Sequence, residues 1–196
     1  TTPPGANAAN STANRITCGT GMPKIYGGLT NNFTYKDWEL GFLFTFSYGG
    51  KLMNSTKAQL LEYSTGEKAN NLSKEILTMW QIEGQVTDIP KLNNASIIGR
   101  TDYSVGLSTR FLEKSSYLRL KNLEIAYNVP RKWLNKTKFL TRLRIYTNIT
   151  NLFTLTGYSG LDPEVSAFGS SATYAGYDHL TMPSSRSYQF GIRASF

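Results

Sequence analysis

Apolar residues recur at every second position between residues 38 and 48, and this is the clearest pattern in the chain. They are Trp38, Leu40, Phe42, Phe44, Phe46 and Tyr48. Because successive strand residues point to opposite faces, this spacing predicts a strand with one apolar side. Residues 24–35 alternate in a similar way, and only Lys36-Asp37 separates the two runs. The pattern therefore predicts a β-hairpin.

Further segments alternate with the same period, at residues 117–129, 142–153 and 187–196. In the first of these the apolar positions change parity, because Leu118 and Leu120 are even-numbered whereas Leu123 is odd-numbered. One extra residue within a strand produces such a change, so we expect a β-bulge near Lys121–Asn122. Together with the hairpin, these segments bring the predicted strands to five.

The connections between the predicted strands are alternately short and long. The short ones are residues 36–37 and 133–140, and the long ones run over about 49–116 and 156–185. Apolar spacing predicts short helices at residues 57–63 and 73–80, inside the first long connection. Long extracellular loops and short periplasmic turns are typical of outer-membrane barrels, whose strands alternate between lipid-facing and lumen-facing residues. We therefore predict an all-β fold, part of an antiparallel transmembrane β-barrel.

Composition agrees with a barrel and narrows the possible chemistry. Hydrophobic residues make up only 40% of the chain although aromatic residues reach 13%, and no stretch approaches the roughly 18 consecutive apolar residues of a membrane helix. The net charge of +8 comes from scattered Lys and Arg, so we expect no nucleic-acid partner. Cys18 and His179 are each the only residue of their type. We therefore expect no intrachain disulfide, no metal site and no cofactor.

Five segments resemble, in the right order, the SusC/RagA family of TonB-dependent transporters. They are Gly21 to Tyr35, Phe46-Ser-Tyr-Gly-Gly-Lys51, the strand with Leu118-Arg-Leu-Lys-Asn122, the pair Asn151-Leu-Phe-Thr154 and Gly160-Leu-Asp-Pro-Glu164, and the strand 187–196. Each motif alone is weak, but five in order are specific. The resemblance extends over about residues 19–196.

The resemblance implies that the chain is the C-terminal segment of a transporter, with the last five or so strands of a barrel of about 22 strands. It implies a place in the outer membrane of Bacteroidetes-type bacteria, with the C-terminus on the periplasmic side. The expected partners are the plug and other strands of the same transporter, a SusD-like surface lipoprotein and outer-membrane lipid. TonB would act through an N-terminal part that has no counterpart here. The expected substrates are oligosaccharides or oligopeptides.

Two sets of residues are candidates for functional contacts under this interpretation. Aromatic residues of the outer loops are candidates for contact with substrate or lipoprotein lid, namely Tyr63, Trp80, Tyr103 and Tyr158. Packing inside the loops is the competing explanation for these rings. The apolar residues of the final strand are candidates for a barrel-assembly signal, namely Tyr188, Phe190, Ile192 and Phe196.

Two other classes of function remain open at this stage. A cell-surface β-protein for binding or adhesion would bury Trp38 and its apolar neighbours in a sandwich core, without transport. An enzyme such as a glycosidase would need paired carboxylates, and Asp162 and Glu164 are the pair that the sequence offers. Neighbouring loop carboxylates more often cap turns or bind a structural cation, so we expect no enzymatic activity.

Overall fold

Strands make up most of the regular structure in this protein. The computed structural model describes residues 16–61, 71–89, 109–135, 139–169 and 175–196. The chain divides into two units. The strand unit comprises Pro23–Gly50, Ser115–Pro163 and Met182–Phe196, and the loop unit comprises Thr1–Met22, Lys51–Lys114 and Glu164–Thr181.

The strand unit is one antiparallel sheet. In chain order the strands of both units are β1 (Ile25–Tyr35), β2 (Trp38–Tyr48), β3 (Lys51–Asn54), β4 (Leu112–Lys114), β5 (Tyr117–Asn128), β6 (Arg142–Thr156), β7 (Tyr177–Asp178) and β8 (Ser187–Ser195). Five of them form the large sheet in the order β1-β2-β5-β6-β8. This confirms the antiparallel, strand-dominated fold class. For each of these five strands, both ends lie within three residues of the ends predicted from the sequence.

The strand register places apolar side chains of all five strands on one face, which we call the apolar face. It carries Leu29, Phe33, Leu40, Phe42, Phe44, Leu123, Ile125, Ile145, Ile149, Phe190 and Ile192. Rings meet across it, as between Phe44 and Phe153, whose centroids are 6.2 Å apart. Within the described residues, however, many of these side chains are uncovered: Phe190 is 82% exposed and Ile192 is 71% exposed.

A bulge halfway along β5 keeps this face apolar. The register between β2 and β5 shifts there by one residue, and Lys121 is the residue without an opposite partner. Lys121 is also skipped where β5 pairs with β6. The bulge predicted near Lys121–Asn122 is therefore confirmed. The extra residue returns Leu118 and Leu120 to the apolar face and sends Arg119 to the opposite face.

Strand β6 has its own irregularity opposite the bulge. Asn151 takes a φ of 53°, a left-handed conformation that Asn tolerates better than most side chains. Its Nδ2 donates a hydrogen bond to the Ser185 carbonyl at 2.9 Å, and Arg186 Nε donates to the Asn151 carbonyl at 3.3 Å. These bonds fix the chain just before β8, and they explain why an Asn stands in the Asn151-Leu-Phe segment.

The loop unit contains a second, small sheet that the sequence did not predict. β3 lies between β4, to which it is antiparallel, and β7, to which it is parallel. Strands of two to four residues are too short to show a period of two, so the sequence pattern predicts only long connections in these regions. Beside them lies a small buried core of Ala58, Leu61, Ile89 and Phe111.

The two helices predicted in the first long connection are shifted or altered. The first is α1 (Ser55–Leu60), which begins two residues before the predicted range 57–63 because Asn54 caps it: Asn54 Oδ1 accepts a hydrogen bond from Lys57 N at 2.8 Å. The second, predicted as helical over 73–80, is only a short 3-10 helix, Lys74–Thr78.

One further helix, α2 (Arg131–Leu134), follows Pro130 in the connection between β5 and β6. Proline fixes φ near the helical value and lacks a backbone N–H, so it commonly stands where a helix begins. Among the described residues, no helix has the length and apolar character needed to cross a membrane.

Deletion of Lys121 should be far more damaging than its substitution. Without the extra residue, half of β5 shifts by one position, so that Arg119 turns to the apolar face and Leu118 leaves it. Lys121→Ala keeps the chain length and is the matched control. We expect the deletion, but not the control, to lower the midpoint of urea unfolding followed by tryptophan fluorescence. Equal midpoints would show that the bulge does not set the register.

Candidate functional site

The side of the large sheet opposite the apolar face is here called the polar face, and it carries nearly all charged residues of the five long strands. Apart from Lys121 at the bulge, every charged residue of the five long strands belongs to it. They are Glu39, Arg119, Glu124, Arg142, Arg144 and Arg193. The two faces of one sheet therefore differ sharply in polarity.

A buried ion pair lies on the polar face. Arg119 of β5 and Asp162 of the loop after β6 are each only 3% exposed, and Arg119 Nη2 lies 2.5 Å from Asp162 Oδ1. Arg119 Nε also donates to Thr154 Oγ1 at 2.9 Å, and the guanidinium lies 5.5 Å from the centre of the Tyr117 ring. An ion pair buried this deeply is stable only when further hydrogen bonds satisfy its atoms, as they do here.

Asp162 also holds the far end of the same loop. Its second oxygen, Oδ2, accepts a hydrogen bond from Ser184 N at 3.0 Å. A side chain on Gly160 would clash with the ring of Tyr158, which lies where a Cβ would be. These contacts give the Gly160-Leu-Asp-Pro-Glu segment a structural explanation. Both Asp162 oxygens are engaged, so its carboxylate acts as a structural anchor of this loop.

A second charge cluster occupies the polar face near the turn between β1 and β2. Arg144 Nη2 lies 2.7 Å from Glu39 Oε2 and 2.6 Å from Glu124 Oε1. Asn128 Nδ2 donates to the other oxygen of Glu39 at 2.7 Å. The cluster joins β2, β5 and β6, and its side chains are partly exposed, unlike those of the Arg119–Asp162 pair. Sequence parity indicated the face of these residues but not their partners.

The loop unit contains a pocket of about 640 Å³. It is lined by Lys57, Leu61, Glu75, Thr78, Val86, Thr87, Asp88, Ile89, Arg110, Phe111 and Glu113. Pockets for small ligands typically enclose roughly 300–1,000 Å³, so this volume suits a small molecule or a short segment of chain. Residues of the buried core, including Phe111, form part of its wall.

The charged side chains around this pocket differ in their partners. Lys57 Nζ lies 3.2 Å from Glu75 Oε2, and Glu113 accepts a hydrogen bond from Asn54 Nδ2 at 3.0 Å. The guanidinium of Arg110 lies 5.1 Å from the ring centre of Phe111. Within the described ranges, neither Arg110 nor Asp88 forms an ion pair. The sequence did not indicate this pocket, because its lining comes from separate parts of a long connection.

The predicted aromatic contacts fall in different environments. Tyr63 and Tyr103 lie outside the described residues. Trp80 is 36% exposed, and its backbone N–H donates to the Ile89 carbonyl at 2.9 Å. Tyr158 is only 5% exposed, so in this conformation its ring has no free face for stacking on a substrate. Of the predicted contacts that the structure describes, Trp80 is the exposed one, and its role stays a prediction.

The candidate assembly residues of the final strand are all exposed. Tyr188, Phe190 and Ile192 share the apolar face, opposite Ile149, Thr147 and Ile145 of β6. The ring of Phe196 lies against that of Phe139, with centroids 4.6 Å apart. The strand therefore presents its apolar residues in one row, whereas the assembly role itself stays a prediction.

A serine and the single histidine meet in the loop unit. Ser55 Oγ lies 3.3 Å from His179 Nδ1, and the Tyr177 hydroxyl donates to Ser55 Oγ at 3.1 Å. Among the described residues, no carboxylate is hydrogen-bonded to the His179 ring, as a catalytic triad would require, and the adjacent Asp178 accepts a hydrogen bond from Thr56. The same residues contain no group of three His, Cys, Asp or Glu side chains that could hold a metal ion.

Comparison with known proteins relates this geometry to one group of proteins. The chain is 31% identical over 194 residues to TonB-dependent receptor P3 of Formosa agariphila, a match that covers 97% of this chain and 18% of that receptor. It is 24% identical over 174 residues to TonB-dependent receptor SusC of Bacteroides thetaiotaomicron, covering 86% of this chain and 15% of SusC. No protein-family model matches the chain.

Solved structures give the same result. The chain is similar to the RagAB peptide importer in its closed-closed state, with a TM-score of 0.71 and 27% identity over 95% of this chain and 19% of that one. The open-open state gives a TM-score of 0.65 with 28% identity. The chain thus spans about a fifth of the length of the proteins it matches.

Breaking the Arg119–Asp162 pair should destabilise the protein strongly. Arg119→Met leaves a buried carboxylate without its partner, and removing one partner of a buried pair typically costs about 3–5 kcal/mol. Arg119→Met with Asp162→Leu should recover most of this loss, because neither charge then remains buried alone. The free energy of unfolding from urea titration is the measurement.

The exposed Lys57–Glu75 pair is the matched control, and Glu75→Gln should change stability by no more than about 1 kcal/mol. If Arg119→Met lowers the free energy of unfolding by no more than this control does, the Arg119–Asp162 pair does not anchor the loop.

Proposed function

Because the chain belongs to the SusC/RagA family of TonB-dependent receptors, we propose that its five long strands form part of the wall of an outer-membrane barrel that imports oligosaccharides or oligopeptides. In this proposal the apolar face contacts lipid and the polar face lines the barrel interior. The strands are the last five or so of a barrel of about 22 strands.

The contrast between the two faces of the sheet carries this proposal. On the apolar face, exposed aromatic and aliphatic side chains extend over five adjacent strands, from Phe33 on β1 to Phe190 on β8. On the polar face, the same strands hold the Arg119–Asp162 pair and the Arg144 cluster. A soluble protein rarely exposes so large an apolar surface, whereas a barrel wall requires one.

Loop length supports an orientation for the strands. The connections through residues 36–37 and 129–141 are short, and those through 49–116 and 157–186 are long. In outer-membrane barrels the short turns are periplasmic and the long loops extracellular. We therefore propose that the loop unit lies outside the cell, and that the end of β8 at Ser195 lies on the periplasmic side.

The proposed partners follow from this orientation. The polar face is suited to contact a plug and the remaining strands of the same transporter, while TonB acts on another part of the full-length protein. The extracellular loops, with Trp80 among their exposed side chains, are suited to contact a SusD-like surface lipoprotein or the substrate. Tyr188, Phe190, Ile192 and Phe196 are proposed as the barrel-assembly signal.

A positive charge on the apolar face should prevent assembly into the membrane. Phe190→Arg places a charge where lipid is proposed, which costs about 2–4 kcal/mol near the middle of the bilayer. Gln189→Arg, on the polar face of the same strand, is the matched control. We expect the first variant, and not the second, to reduce the amount of folded full-length protein in outer-membrane fractions. Equal amounts of both variants would contradict the assignment of the faces.

Import should depend on TonB and on the complete transporter. In cells that express the full-length protein, we expect uptake of fluorescent oligopeptides or of fluorescent maltooligosaccharides, and loss of this uptake when TonB is deleted. Surface binding should persist without TonB, because only import needs energy from the inner membrane. Binding without any TonB-dependent uptake would favour a surface adhesin over a transporter.

A further inference from the structure

The pocket of the loop unit is suited to a ligand that carries both signs of charge. Of its charged side chains, Lys57 is paired with Glu75, and Glu113 is bound to Asn54. Arg110 and Asp88 remain, both exposed and neither ion-paired with a described residue. Thus one guanidinium and one carboxylate are available to a ligand in the same pocket.

Arg110 is held in place by its packing. Its guanidinium lies 5.1 Å from the ring centre of Phe111, which is itself only 2% exposed in the buried core. A guanidinium packed on a ring keeps its planar donors free at the edge, where they can bind a carboxylate with two parallel hydrogen bonds. Asp88 stands next to Ile89 of the same core.

The pocket is poorly suited to a neutral sugar. Among the described residues of its lining, Phe111 is the one with an aromatic ring, and this ring is buried and packs against Arg110. The described part of the lining therefore presents no exposed aromatic face to a sugar ring. A neutral ligand would also displace water from Arg110 and Asp88 without giving either group a counter-charge, which is unfavourable.

We propose that this pocket binds a short zwitterionic oligopeptide, with Arg110 receiving its terminal carboxylate and Asp88 its terminal ammonium group. The apolar wall of Leu61, Val86 and Ile89 contacts the aliphatic part of the same ligand. The inference rests on the proposed function, because it names the substrate class of the proposed importer. Trp80 is not part of the pocket lining and has no role in this inference.

The test measures binding of defined probes to the full-length transporter in detergent by isothermal titration calorimetry. The probes are tetra-alanine, its C-terminal amide, its N-acetyl form and maltoheptaose. We expect tetra-alanine to bind more tightly than either blocked peptide by about tenfold or more, since a charge-assisted hydrogen bond contributes roughly that factor. Maltoheptaose should bind more weakly than tetra-alanine.

Substitutions assign each charge to its partner. Arg110→Gln should weaken the binding of tetra-alanine about tenfold but leave the affinity for the C-terminal amide unchanged. Asp88→Asn should also weaken the binding of tetra-alanine about tenfold, but it should leave the affinity for the N-acetyl form unchanged. Lys74→Gln and Glu83→Gln are matched controls, because both residues are exposed in the same unit and outside the pocket lining. The controls should bind all probes as the unaltered protein does.

The outcomes separate this inference from the proposed function. Equal affinity for tetra-alanine and both blocked forms, tighter binding of maltoheptaose, or no binding of tetra-alanine would each overturn the inference. TonB-dependent uptake would still be observed in each case if the transporter function is correct. Loss of that uptake, in contrast, would contradict the proposed function whatever the pocket binds.

Discussion

The large sheet has to keep one face apolar from β1 to β8, and the register of every strand pair follows from this constraint. A shift of one residue would exchange the two faces, because side chains alternate with a period of two. The bulge at Lys121 is the clearest consequence. Leu118 is even-numbered and Leu123 is odd-numbered, and the one extra residue between them allows both to lie on the same face. Arg119 is thereby brought to the face where a charge can be paired.

The ion pair of Arg119 with Asp162 connects this constraint to the loops. It joins the middle strand of the sheet to the connection that leads to β8, and Ser184 is bound to the same carboxylate. The pair thereby fixes this connection to the polar face of the sheet.

Much of the large sheet could be predicted from sequence because its strands are nine to fifteen residues long, which is enough to show a period of two even where a bulge changes the parity. The strands of the small sheet could not, because four residues or fewer show no period. Arg119 and Asp162 both lie in the sequence motifs named above. Their pairing joins positions 43 residues apart, and the alternation of apolar and polar residues within a strand does not predict such a contact. For the same reason the burial of Tyr158 and the charges around the loop-unit pocket became visible only in the structure.

Site-directed spin labelling tests the assignment of the two faces most directly. Nitroxides are attached to single cysteines at positions 187 to 193 of full-length protein in lipid bilayers, with Cys18→Ser as background. Because the apolar face is proposed to contact lipid, labels at Tyr188→Cys, Phe190→Cys and Ile192→Cys should collide mainly with oxygen, which dissolves in lipid. Labels at the intervening positions should be shielded from lipid. Alternation with the opposite phase, or labels at Phe190 that collide mainly with a water-soluble nickel chelate, would contradict a lipid-facing apolar surface.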